Sequence, residues 1–410
     1  MKKVLFVLGK YYPDISANGV CCDKIMRRLQ NEGCEVFVAA AEQYKTKKVM
    51  DFDGILCYHY KTTVKNRIAM AYHKSGGIKK AFLKLMAYFF NRYELLYMSY
   101  FYPIVSKRHC GRIYKKIKEI HALHNIDTIV AVSYPVDAVK AAVRFKKLHP
   151  EIFTVSYLLD PIAEGKKGPR LTPEKSFNKA IVVEREIVEQ SDAVICQKEH
   201  EQHFEKYYKA YFNKVKFLGI PLLEEKPKSV NKNAVPTVVY AGSLFKDIRN
   251  PEYIFNVFKE IPEVNLCVYT PADMSWLKKL KAEAENIVLH SKVSHEEIEK
   301  VYLKADAFLN IGNSYASSAP SKIIEYMGYL KPVITTFRID DDPSKTLVNN
   351  YPLGLSLDEN DKDYSAAAHK ITKLLNSKKE ISYEEIKKDF YLETPEAFCD
   401  SINDFMKELN

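Results

Sequence analysis

Residues Ala319–Met327, A-P-S-K-I-I-E-Y-M, combine an anion-binding helix start with a carboxylate one turn deeper. The spacing predicts a helix beginning near Pro320, where the missing proline N–H would be unpaired in any case, with Ser318 as its cap. Free N–H groups at Ser321 and Lys322 then make an anion site, and Lys322 adds a full positive charge. Glu325 follows on the same helix face as Ser321. A diphosphate at the helix start would leave that carboxylate placed to accept two hydrogen bonds from a vicinal diol such as a ribose. The same spacing also describes a surface helix whose glutamate sits early for dipole reasons. A second segment, Tyr240–Pro251 (Y-A-G-S-L-F-K-D-I-R-N-P), sets Lys246 and Arg249 in a loop after an expected strand. An arginine fork suits phosphate oxygens; both cations also read as solvated loop charges.

The elements that must hold these segments follow from the apolar pattern. Short apolar runs closed by breakers, Val4–Leu8 before Gly9 among them, alternate with helical periods through both halves. This predicts an α/β protein with a parallel sheet in each half. Residues 62–120 depart from the alternation and predict two long helices broken near Tyr102–Pro103. A polar, proline-bounded stretch at 221–236 reads as a linker. The expected organisation is 1–220 as a first domain with 62–120 inserted, 237–392 as a second domain, and 393–410 as an amphipathic helix packing back on the first. Ligands bind at the carboxyl ends of such sheets.

The 410 residues carry 62 Lys+Arg and 52 Asp+Glu, a net charge of +10. That total conceals +16 over 1–220 and −6 over the rest, and 61–118 holds 14 basic groups against one acid, Glu94. Such asymmetry points to different partners for the two halves: nucleic acid, an anionic membrane or phosphorylated ligands. The eight cysteines show no C-x-x-C spacing and read as reduced. The first apolar run is too short for a secretory core and no run reaches a membrane span, so the expected location is cytoplasmic, peripheral to the inner face of the cell membrane. A dehydrogenase is disfavoured, since the first strand leads into G-K-Y-Y-P rather than G-x-G-x-x-G.

The order of four features resembles the group 1 glycosyltransferases (family 4): the first-strand loop through Gly19, Y-A-G-S-L-F-K-D-I-R-N-P, P-S-K-I-I-E-Y-M-G-Y-L-K-P-V-I, and Gly354–Leu357. The resemblance implies GT-B architecture, two facing Rossmann-like domains with an interdomain cleft. It implies that Glu325 holds a donor ribose, that Ser321, Lys322 and Ile323 present amides to its diphosphate, and that Gly19 approaches the donor phosphates from the other domain. Arg249 falls at the second of two cationic clamp positions. The first falls on Ser243, with Lys246 as a substitute. His290–Val293, including Lys292 and Val293, matches the segment that meets the base. A glutamate common in the family is replaced by Ser317, and a histidine by Ser133–Tyr134–Pro135, which puts Ser133 and Tyr134 on the acceptor side. Asp160 and Glu164, in L-L-D-P-I-A-E, are the nearest acids on that edge and the candidates for catalysis; a loop aspartate making local hydrogen bonds is the plainer reading.

The resemblance implies retaining transfer from a nucleotide-sugar donor without a metal or other cofactor. Asp340–Asp342 invites a divalent ion, but the GT-B pattern needs none there, and no histidine metal cluster is evident from the spacing. Residues 78–118 interleave Lys and Arg with aromatics, as an interfacial helix does; ordinary packing helices with solvated lysines are the alternative, and no nucleic-acid reader motif accompanies the charge. The expected partners are a nucleotide-sugar, a lipid-linked or glycan acceptor of bacterial surface-polysaccharide assembly, and an anionic membrane through 61–118. A GT-B sugar-nucleotide epimerase and a non-catalytic degenerate transferase remain competing readings.

Overall fold

Apolar runs such as KVLFV and TIVAV have no polar alternation and form strands buried on both faces. The computed structural model describes every residue except 1, 45, 166–167, 229–232, 315–320, 378 and 409–410. The chain divides into two units, Met1–Pro221 with Pro395–Asn410, and Leu222–Thr394.

In the first unit, β1 (Lys3–Val7), α1 (Ala17–Asn31) and β2 (Glu35–Ala41) lead to the hairpin β3 (Val49–Phe52) and β4 (Ile55–Tyr60). Three helices follow: α2 (Val64–His73), α3 (Gly77–Phe101) and α4 (Lys107–His124). The alternation then resumes with β5 (Thr128–Val132), α5 (Val136–Lys146), β6 (Phe153–Leu158), α6 (Pro173–Gln190), β7 (Ala193–Gln197), α7 (Glu201–Tyr208) and β8 (Val215–Leu218). The sheet order is β3-β4-β2-β1-β5-β6-β7-β8. All pairs are parallel except the edge hairpin β3–β4, so the sheet is parallel-dominated as the alternation of elements implies, with one antiparallel pair added at its edge. The cause is legible: Asp53 and Gly54 both adopt positive φ (51° and 83°), the primed turn that closes a two-residue hairpin.

The insert also differs from expectation, with three helices rather than two. Gly77 takes φ 53° after α2 ends, a conformation glycine adopts without a Cβ clash. Helix α4 buries Ile113, Ile117 and Ile120 against the sheet, whereas the 25-residue α3 buries no residue.

The second unit runs β9 (Thr237–Ala241), α8 (Glu252–Lys259), β10 (Asn265–Thr270), α9 (Met274–Lys281), β11 (Ile287–Ser291), α10 (His295–Lys304), β12 (Ala307–Ile311), α11 (Ser321–Met327), β13 (Val333–Phe337), α12 (Pro343–Asn349), β14 (Gly354–Asp358), α13 (Tyr364–Leu375) and α14 (Tyr383–Asp389). Its six parallel strands are ordered β11-β10-β9-β12-β13-β14. The final helix, α15 (Pro395–Glu408), belongs to the first unit, where it packs on α1 and sets Phe398 edge-on to Tyr157 at 4.9 Å.

Both sheets carry the doubly wound order in which the chain starts centrally, runs outward and then reverses. The reversal lies between β1 and β5 in the first unit and between β9 and β12 in the second. These switch points leave a crevice at the carboxyl ends of the strands.

Gly354 starts β14 where an added Cβ would lie 1.8 Å from the Val348 carbonyl oxygen. Backbone cannot yield as a side-chain tip does, so Gly354→Ala should destabilise the second unit by about 2–3 kcal/mol. Denaturant unfolding followed by tryptophan fluorescence checks this, because the single tryptophan, Trp276, lies in that unit.

Candidate active site

The crevice of the second unit is a cavity of about 530 Å³ lined by the end of β9 with its loop (Tyr240–Ser243), by Leu309 and Asn310 of β12, and by Ser321, Lys322 and Tyr326 of α11. Aromatic packing fixes α11: Tyr326 stacks on Phe308 of β12 at 4.4 Å and meets Tyr302 edge-on at 5.3 Å. Ile323, Ile324 and Met327 are buried with it. That leaves Ser321 and Lys322 at the cavity.

Three cations converge there, since Arg249 and Lys292 also line the wall. The Lys322 ammonium donates to the Ala241 carbonyl (2.5 Å), which ties the helix to the end of β9. Burial pushes its pKa down, Arg249 and Lys292 push the same way, and Glu325 opposes them. Arg249 is held by reciprocal backbone hydrogen bonds between Phe245 and Arg249 and by its guanidinium donating to Asn313 Oδ1 at 2.9 Å. Its buried Nε has no hydrogen-bond partner among the described residues. An unsatisfied guanidinium donor beside a desolvated ammonium is an arrangement that an anion relieves.

Of the residues singled out from sequence, Ser243, Arg249, Lys292, Val293, Ser321 and Lys322 line this cavity. Lys246 does not: it is exposed, and its ammonium sits over the Trp276 ring at 5.8 Å. Ile323 points into the core and Glu325 lies outside the lining, on the turn after Lys322. Ser317, Ser318, Ala319 and Pro320 lie outside the described residues. Sequence reasoning passed over Tyr269, Pro271 and Ser294 as lining residues. Ser294 carries a readable signal, a capping box with Glu297 at the start of α10.

In the first unit, a cavity of about 790 Å³ opens at the β1/β5 switch point, with Gly9, Lys10, Tyr134 and Pro135 in its wall. The Gly19 amide is taken by the Ser16 side chain that caps α1 (3.2 Å), and a Cβ there would lie 2.7 Å from the Lys10 carbonyl oxygen. Gly19 therefore serves the turn, and its N–H is not free for a phosphate. Ser133 is buried and its Oγ accepts from the Leu159 amide at 3.1 Å. Tyr134 is exposed, in the left-handed region at φ 64°. Part of the ring is nevertheless covered, and that partial desolvation raises its pKa, with the Asp160 charge acting in the same direction.

Asp160 and Glu164 extend from the loop after β6 and are held by histidines that sequence reading missed. His200 Nε2 lies 3.3 Å from Asp160 Oδ1. His203 bridges Glu164 (Nδ1 to Oε1, 2.8 Å) and Glu184 (Nε2 to Oε1, 2.6 Å). Glu184 is fully buried and also accepts from the Tyr208 hydroxyl (2.8 Å) and the Ala163 amide (3.0 Å). Burial alone would lower the His203 pKa, but Glu184 and Glu164 outweigh it and the net shift is upward. An imidazolium with both N–H groups donated thus orients Glu164. His200 and His203 are the readable signal, two histidines in the K-E-H-E-Q-H segment right after β7.

The acidic run after β13 has local roles. Asp342 caps α12 by accepting from the Ser344 amide at 2.8 Å, and Asp340 pairs with Lys345 at 3.3 Å. A group that the spacing did not make evident is brought together by the fold: His121, His149 and Glu151 bring one ligand atom each to within 4.8 Å of one another, at the end of α4 and the turn after α5.

Two outcomes follow. Lys322→Gln and Arg249→Gln should each weaken binding of a nucleoside diphosphate (UDP, GDP or ADP as probes) roughly tenfold in calorimetry, the loss of one charge-assisted contact. The His203 network should stabilise the fold fully below the unfolded pKa of 6.5 and lose that contribution as pH rises through the raised folded value. Melting temperatures over roughly pH 6–9 should therefore fall more steeply for the native protein than for His203→Gln.

Residues 223–390 match the family model of glycosyl transferases group 1. Among solved structures, the sucrose-phosphate synthase of Thermosynechococcus elongatus is similar over 100% of this chain and 99% of its own, at 12% identity and TM-score 0.65. The lipopolysaccharide outer core galactosyltransferase WaaB, in its apo form, is similar over 100% of both chains at 10% identity and TM-score 0.56. The catalytic domain of starch synthase IV from Arabidopsis thaliana, bound to ADP and acarbose, is similar over 99% of both chains at 10% identity and TM-score 0.56. No curated protein sequence matches the chain. At such identities the structural likeness establishes the fold, and the family match covers the second unit. The chain carries a group 1 glycosyl transferase domain at residues 223–390, on the fold of GT-B glycosyltransferases.

Proposed function

We propose that the protein is a retaining glycosyltransferase that moves a sugar from a nucleotide-sugar to a membrane-associated glycan or lipid-linked acceptor, as in bacterial surface-polysaccharide assembly. The observation that carries this is the convergence of Lys322, Arg249 and Lys292 on one crevice at the β9/β12 switch point. In the proposed reaction the bond from the anomeric carbon to the diphosphate oxygen breaks and both electrons leave with the diphosphate. The three cations stabilise that charge as it develops, which is the work a divalent ion would otherwise do, so the reaction proposed here uses no metal. The acceptor hydroxyl oxygen bonds to the anomeric carbon on the face being vacated, and its proton passes to the leaving phosphate oxygen. Asp160 and Glu164 are proposed to orient the acceptor hydroxyls as hydrogen-bond acceptors. Glu325 is proposed to hold the donor ribose.

The membrane part of the reading rests on α3. Ile78, Phe82, Leu85, Phe89, Tyr93, Leu96 and Tyr100 recur at helical spacing along one side, all exposed, from 42% for Leu96 to 91% for Ile78. Lys79 and Arg92 lie beside that stripe, with Lys80 and Lys84 round the far side of the helix. An apolar stripe with cations beside it suits an interface with anionic headgroups. No helix among the described residues is long and apolar enough to cross a membrane. A cytoplasmic location at the inner face of the membrane belongs to the same proposal.

A panel of UDP-, GDP- and ADP-sugars followed by thermal shift tests the donor, and stabilisation by at least one is expected; a flat panel would remove the transferase reading. Slow donor hydrolysis should be abolished by Glu325→Ala. The protein should float with vesicles containing phosphatidylglycerol and lose most of that binding in Phe82→Ser/Phe89→Ser. Equal binding to neutral vesicles would contradict the membrane assignment.

A further inference from the structure

Helices α2, α3 and α4 enclose a cavity of about 500 Å³ that adjoins the β1/β5 cavity and shares Thr63, Glu94, Val105 and His109 with it. One side is aromatic, with Phe90, Tyr93 and Tyr97 of α3. The other is basic, with Lys65 of α2 and Lys107, Arg108 and Arg112 of α4. Two acids bear on it. Glu94 lines the wall and lies 3.6 Å from Lys65. Asp137, behind the cavity, accepts from the Val105 and Ser106 amides at 2.8 and 3.1 Å. The positive charge of the lining exceeds both together.

We propose that this cavity binds the phosphate of a lipid whose apolar chain lies along α3. The proposal deepens the membrane-associated reading given above and rests on it. The cations are in different states of engagement, and that decides which of them meet the ligand. The Arg112 guanidinium donates to the Thr62 carbonyl at 2.6 Å and is a fixed wall. Lys107 holds its ammonium over the Phe101 ring at 4.4 Å, a contact it can exchange for a phosphate oxygen. Arg108 makes no hydrogen bond or ion pair to a described residue and is the available fork.

A buried histidine points to a ligand independently of the charge. His109 lies between this cavity and the β1/β5 cavity and lines both, is 5% exposed, and its Nδ1 has no hydrogen-bond partner among the described residues. Burial and the Arg112 charge lower its pKa to about 4, so the ring is neutral at physiological pH and free to donate one hydrogen bond. The amides at the start of α4 are already engaged, Val105 and Ser106 by Asp137 and Lys107 by the Tyr97 hydroxyl at 3.1 Å. Recognition therefore falls to side chains. The aromatic side of the cavity and the exposed stripe both belong to α3, so a chain attached to a phosphate held at Arg108 leaves along an apolar surface. Free inorganic phosphate would meet the cations and forgo that surface.

Calorimetry on the full chain with dihexanoyl phosphatidic acid, held below its micelle threshold, tests this against inorganic phosphate and dihexanoyl phosphatidylcholine. Saturable one-to-one binding of the phosphatidic acid is expected, roughly tenfold or more tighter than either comparison ligand. Arg108→Gln should weaken it roughly tenfold with an unchanged melting temperature and unchanged nucleoside diphosphate binding in the second unit; Lys107→Gln serves if that variant folds poorly. Phosphatidic acid bound equally by the native and Arg108→Gln proteins, or no better than inorganic phosphate or the choline lipid, overturns the proposal. Flotation on phosphatidylglycerol vesicles separates the two readings. Native protein that floats but does not bind phosphatidic acid loses the cavity and keeps the membrane surface. Protein that does neither loses both.

Discussion

An ammonium removed from water beside two other cations is unfavourable until an anion arrives, and the second unit is arranged to hold Lys322 in that condition. Burial and the charges of Arg249 and Lys292 all act against the protonated lysine. What keeps it there is packing. Tyr326 on Phe308, Tyr302 against both, and buried Ile323, Ile324 and Met327 fix α11 so that Lys322 stays at the cavity wall, held to the Ala241 carbonyl. Aromatic pairs of this kind contribute roughly 0.5–1.5 kcal/mol each beyond their burial. The strand order explains the place: β9 and β12 pair side by side, but the connections that leave them run to opposite sides, so the crevice exists before any side chain is chosen.

The first unit solves the opposite problem. Asp160 and Glu164 are carboxylates at a strand edge, and loop carboxylates normally wander. His200 and His203 restrain them, and His203 is itself fixed from behind by the buried Glu184, whose Oε1 also accepts from the Tyr208 hydroxyl and whose Oε2 accepts from the Ala163 amide. A polar network with its members paired orders a site where a partly paired one would destabilise it. Alongside, α3 leaves a whole apolar stripe uncovered by its own chain.

The sequence showed the architecture because apolar strands and amphipathic helices announce themselves by period. The Asp53–Gly54 hairpin was equally readable, in a dipeptide, and was missed because β3 buries none of its residues, two being exposed and two half-buried. Lys322, Arg249 and Ser321 were legible because a helix start and an arginine in a strand-end loop have local signatures. Lys246 was not separable from them by spacing, since only the structure shows that its ammonium goes to Trp276. Gly19 and Ser133 fall at functional positions by resemblance, yet their polar groups are engaged by Ser16 and Leu159. The Glu164–His203–Glu184 bridge could not be read, because α6 and α7 supply its parts from separate segments and only the fold brings them together. His121, His149 and Glu151 escaped for the same reason.

The most direct test of this account is the titration of Lys322 itself. NMR of side-chain ammonium groups, assigned with Lys322→Arg, reports its pKa with and without a nucleoside diphosphate. The account predicts a value below the ordinary 10.5 in the free protein and a rise when UDP, GDP or ADP binds. A Lys322 that titrates at the ordinary value in the free protein, or whose titration no nucleoside diphosphate moves, would contradict it.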